Sequence, residues 1–95
     1  MSLADLTAAG FTDRLQDTFT LAMPGASLKL VLAEVEELGE SQHRRAFSLR
    51  FLGPAQPILP QATYRLDHPA LGSLEIFLVP LGPKDGGMRY EAVFT

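Results

Sequence analysis

The chain has 95 residues, 46% hydrophobic and 20% charged, with a formal net charge of -3 and no cysteine. A chain of that length makes one domain, burying only about 60–65% of its unfolded surface, so its large apolar residues must share a single core. The composition excludes a disordered segment and a disulfide scaffold, and the acidic balance speaks against nucleic acid as a partner.

Residues 1–17 carry the only helical signals. Ser2 with Asp5 three residues on makes a short capping box, Leu3, Leu6 and Ala9 then share one side, and Gly10 is placed to stop the helix. A second turn can start at Thr12 and carry Leu15. Both pieces are too short to persist alone in water, so their apolar stripe must dock on something. The first residues lack the basic and apolar regions of a secretory signal, and the longest uncharged apolar stretch, 76–81, includes Pro80 and is too short for a membrane span. The expected object is soluble and cytoplasmic, without membrane contact.

Six strands follow. The first covers residues 18–23 and turns at Pro24-Gly25-Ala26-Ser27 into the second, 28–37. In that second strand Lys29, Glu34 and Glu36 do not share one parity, which predicts a bulge near Leu32-Ala33 or a first half buried on both faces. Residues 38–42 are read as the next turn. The third strand, 47–52, sends Phe47, Leu49 and Phe51 to one face and Ser48 and Arg50 to the other. The connection 53–61 holds Pro54, Pro57 and Pro60, which bar it from a central strand, so it either crosses the end of a barrel or forms a rigid lip.

The fourth strand, 62–67, points Ala62, Tyr64 and Leu66 inward, and His68-Pro69-Ala70-Leu71-Gly72 makes a tight reversal. The fifth, 73–79, points Leu74, Ile76 and Leu78 inward but leaves Phe77 and Val79 on the nominally wet face. After a loop over 80–87, the sixth strand, 88–95, buries Met88, Tyr90, Ala92 and Phe94. Short turns argue for a six-stranded antiparallel meander in one mainly β domain, 1–95, closed as a small barrel or folded as a two-layer sandwich. Closure is preferred because it removes a long apolar edge.

Phe51-Leu52-Gly53-Pro54, Leu59-Pro60-Gln61-Ala62-Thr63-Tyr64, His68-Pro69-Ala70-Leu71-Gly72, Phe77-Leu78-Val79-Pro80-Leu81-Gly82-Pro83 and Tyr90-Glu91-Ala92-Val93-Phe94 together resemble a small bacterial domain family of unknown function. The likeness reaches back to the N-terminal helix and Phe19. It implies no activity. It does imply an assembly role, because such domains occur near proteins with phage tail-collar-like domains.

The candidate chemistry is thin. His68, next to Asp67 and near Ser73, could be a general base, but a turn histidine bonding local backbone is the better reading. A metal site would need His43, His68, Glu40 and Asp67 to converge, which no spacing supports. Residues 82–87 open no helix and so lack the amide cradle of a phosphate loop. Aromatics and arginines alternate to opposite faces, which makes core packing a better account than a stacking platform for single-stranded nucleic acid. Arg50, Arg65, Glu75, Arg89 and Glu91 are expected to pair across strands. No catalytic residue, metal or cofactor is assigned.

The residues that break the pattern are Leu52, Phe77, Val79 and Val93. Burying Phe77 and Val79 would be worth about 1.5–3 kcal/mol each, so something should cover them. The N-terminal helix is the first candidate and a partner chain or second copy the alternative. The expected function is a non-enzymatic protein-interaction or assembly module that uses this patch, or the lip with Pro57 and Gln61. The alternative is a small-molecule binder or minor enzyme that uses the barrel mouth near His68.

Overall fold

In a computed structural model of the chain, residues 7–40 and 45–94 are described, without the side chains of Glu40 and Arg45. A short helix α1 (Ala8–Thr12) precedes strands β1 (Thr18–Met23), β2 (Ala26–Glu40), β3 (Arg45–Pro54), β4 (Ala62–His68), β5 (Gly72–Lys84) and β6 (Gly87–Phe94). All pairings are antiparallel, and the order β1-β2-β3-β6-β5-β4 returns to β1 to close a barrel. Closure rather than a sandwich follows from the β1–β4 seam, where Thr20 faces Asp67 and Leu21 faces Leu66.

The meander expectation needs one correction. Two three-stranded hairpin units, β1-β2-β3 and β4-β5-β6, are each sequential, but β3 lies beside β6 and β4 beside β1. The segment 55–61 therefore crosses the end of the barrel, as its length allows and its prolines require.

Alternation sets the two faces as expected. Phe19, Leu21, Leu30, Leu32, Phe47, Leu49, Phe51, Leu66, Leu74, Ile76, Leu78, Tyr90 and Ala92 fill the interior. The parity break in β2 is a bulge, because the register against β3 shifts between Leu32 and Glu34, leaving Ala33 without an opposite residue. A second shift lies between Glu37 and Gly39, so β2 runs on to Glu40 rather than ending at 37. The 38–42 turn expectation fails at its start, and residues 41–44 lie outside the described residues, as do Ser2, Leu3, Asp5 and Leu6.

β5 also runs past its expected end, through Pro80 and Pro83 to Lys84, with a third register shift between Pro80 and Gly82. Proline is tolerated there because β4 pairs with β5 only as far as Leu78, so beyond it β5 has an open side with no partner to satisfy. The hairpin to β6 is tight, and a side chain at Gly87 would overlap the Gly53 carbonyl across the β3–β6 pair.

Both ends of the interior are filled. Thr7 caps α1 by accepting the Gly10 N–H on its Oγ1 at 3.3 Å, so Gly10 lies inside the helix and does not stop it. This seats Phe11 in the core, its ring 5.8 Å from those of Phe47 and Phe94, which stack at 4.8 Å. The chain after α1 is laced to the bulge region, with Gln16 N–H donating to the Leu32 carbonyl and Leu32 N–H to that of Asp17.

Toward the other end of β6, the crossover inserts Leu59, whose N–H donates to the buried Tyr90 hydroxyl at 2.9 Å, while the Tyr64 hydroxyl donates to the Pro60 carbonyl at 2.6 Å. Burial pushes the Tyr64 phenol above its ordinary value, with a smaller contribution from Tyr90. Tyr90→Phe keeps the ring and strands the Leu59 N–H. It is expected to cost about 1–3 kcal/mol in urea unfolding. An unchanged midpoint would mean that the crossover is not held by this bond.

Candidate functional site

Large apolar side chains occupy the inside of the barrel, and the residues that break the alternation lie on its outside. The outer residues of β3, β6 and β5 form one continuous face. Leu52 lies opposite Arg89, Ser48 opposite Val93, and Val79 opposite Glu91. Phe77, two residues before Val79 on β5, faces Thr63 of β4, and Val93 lies two residues beyond Glu91 on β6. Four apolar positions scattered over 42 residues of sequence thus share a face because three neighbouring strands present them there. Phe77 is 50% and Val93 54% exposed, whereas Leu52 and Val79 are half-buried.

Pro57 and Gln61 do not join this face fully. Gln61 precedes Ala62, whose partner is Leu78, and so stands at the margin near Val79, while Pro57 lies farther out on the crossover. Both are exposed. α1 does not cover the face. It packs on β2 and sends Phe11 inward, and Leu15, expected to help cover the patch, is 38% exposed. The other proposed covering residues, Leu3 and Leu6, lie outside the described residues.

A charged knot divides the apolar positions. Arg50 of β3 reaches Glu36 at 2.6 Å, Glu91 at 3.4 Å and Glu34 at 3.5 Å. The hydrogen bond that Arg50 donates to Glu36 is the main reason that its guanidinium is held above its ordinary value, burial working against it. The expected cross-strand pairing is met by Arg50 and Glu91. It is not met by Arg65, which takes Asp67 on its own strand at 3.4 Å rather than the opposite Glu75. Beside the knot, Ser48 Oγ and Arg89 Nε are buried without a partner.

His68 is a structural residue in this arrangement. Its Nδ1 accepts the N–H groups of Ala70 at 3.0 Å and Leu71 at 3.3 Å, so the ring proton lies on Nε2 and is donated to Asp17 Oδ2 at 2.8 Å. The ring packs against Phe19, tilted by 39° with centroids 4.7 Å apart. With both nitrogens engaged, no lone pair is left for a general base. Asp17, 51 residues away, carries no sequence signal as its partner. His68, Pro69 and Gly72 line an open depression of about 460 Å³ together with Thr20, Arg65, Asp67 and Ser73, whose Oγ donates to Asp67 Oδ1 at 2.6 Å.

Among the described residues no three His, Asp or Glu side chains converge as metal ligands, and His43 lies outside them. No helix among them is long and apolar enough to cross a membrane.

A family model described as "Domain of unknown function (DUF6916)" matches residues 6–94. No curated protein and no solved structure matches the chain.

Proposed function

The chain belongs to the DUF6916 family, and from that premise we propose that it is a non-enzymatic protein-interaction module of a larger assembly, of the bacterial phage-tail-like kind that the sequence resemblance implies. The observation that carries this reading is the exposure of Phe77 and Val93, two large apolar side chains each about half exposed on the outside of the barrel. A monomer gains nothing by leaving both wet, and the hydrophobic transfer of such groups drives association. The Arg50–Glu91 pair between the apolar positions gives the face charged groups of both signs for a partner to meet. A catalytic or small-molecule role through His68 has less support, since both of its ring nitrogens are used internally.

Cross-linking in the native host tests this directly. A photoreactive benzoylphenylalanine in place of Val93 is expected to form a discrete protein adduct on irradiation, and the same group in place of exposed Lys29 is not. Phe77→Asp should abolish the adduct while changing stability by no more than about 1 kcal/mol, as for other surface substitutions. No adduct at 93, or equal adducts at 29, would sink the reading.

A further inference from the structure

The barrel is unevenly closed. β4 pairs with β5 along its whole length, Ala62 to His68, but meets β1 only at Thr20–Asp67 and Leu21–Leu66. Beyond those pairs, residues 62–65 of β4 and 22–23 of β1 have no ladder partner across the seam. In such a strand every second residue aims its N–H and C=O away from the paired neighbour, so residues 62–65 present unpaired backbone to that side. The inward side chains at this point, Met23, Leu28 and Tyr64, are only half-buried and pack on the margin of the core.

One stretch of β5 with a single ladder partner is protected. On β5 beyond Leu78, Pro80 and Pro83 remove donors and the Leu81 bulge breaks the register. Those devices stop a foreign strand from adding to an edge. Residues 62–65, Ala-Thr-Tyr-Arg, have no proline, glycine or bulge, and Thr63 and Tyr64 are strong strand formers.

We infer that this edge of β4 accepts an extended segment of a partner chain as an added strand, held by main-chain hydrogen bonds to residues 62–65. One side of the added strand lies beside Thr63, which faces Phe77, so the edge adjoins the exposed Phe77. Its other side covers Met23 and Tyr64. An added strand needs only main-chain partners, which residues 62–65 offer on the side facing away from β5. The inference rests on the interaction-module reading and specifies the conformation of the partner.

The test uses the full chain and a displayed library of random peptides of about ten residues, followed by amide hydrogen exchange with the selected peptides. In the free protein, the amides of residues 62–65 that face away from β5 should exchange fast. A selected peptide should slow them at least roughly tenfold, and methylating alternate backbone nitrogens of that peptide should weaken binding roughly tenfold or more. Thr63→Pro should do the same. If that variant does not fold, the methylated peptide still decides.

Full protection of these amides in the free protein, the absence of any selected peptide that alters them, or equal binding of the methylated peptide would each overturn the inference. Loss of the Val93 adduct by Phe77→Asp, with no peptide effect at 62–65, would leave the interaction reading standing and remove the added strand alone.

Discussion

Phe11→Ala is expected to lower stability by about 3–5 kcal/mol, the range for truncating a fully buried phenylalanine. Phe11 is 0% exposed and packs against Phe47 and Phe94 at the end of the barrel. A helix of five residues has no stability of its own to keep the plug in place, so cavity and helix loss come together. Against a total of about 5–15 kcal/mol for an ordinary domain, that is a large fraction. Chemical denaturation should show a much lower midpoint with an unchanged slope. The neighbouring exposed residue gives the control, since Leu15→Ala should stay within about 0.5 kcal/mol of the parent. A loss below about 1 kcal/mol for Phe11→Ala would mean that the N-terminal segment does not seal the core.

His68→Ala is the second large effect, at about 2–4 kcal/mol. It removes the acceptor for the Ala70 and Leu71 N–H groups, the donor to Asp17, and the packing against Phe19. The site matters because the β1–β4 seam has only two registered pairs, and the Asp17–His68 bond ties the chain just before β1 to the last residue of β4 beside them. Asp17→Ala should cost less, about 1 kcal/mol, since its carboxylate is 41% exposed and partly screened by solvent. A double-mutant cycle should return a coupling of about 1 kcal/mol between the two. Additive losses would mean that the bond does not hold the seam.

Much of this architecture is legible in the sequence, and the failures have particular causes. Period-2 alternation places Phe47, Leu49, Phe51, Leu74, Ile76, Leu78, Met88, Tyr90, Ala92 and Phe94 inside, where they are. The phase break at Leu32-Ala33 marks a real bulge. Alternation reports faces, not neighbours, so it cannot tell that β3 pairs with β6. Pro80 ended the fifth strand too early on paper because a proline's tolerance depends on whether that side of the strand has a partner, which is a tertiary fact.

Gly10 reads as a stop, but Thr7 caps α1 and Gly10 lies inside it, so that Phe11 reaches the core. Of the candidate surface, parity alone finds Leu52, Phe77, Val79 and Val93. Their convergence on one face depends on the strand order, as does the recognition that Pro57 lies outside it.

The barrel closes through the β1–β4 seam, with Phe11 packed into its core. Nuclear Overhauser contacts on uniformly labelled protein test it most directly. The account predicts backbone contacts of Thr20 with Asp67 and of Leu21 with Leu66, together with contacts from the Phe11 ring to Phe47 and Phe94. A spectrum that shows the β1–β2 and β4–β5 contacts but lacks those across the seam and from Phe11 would describe an open sheet with an accessible inner face, and would contradict the account.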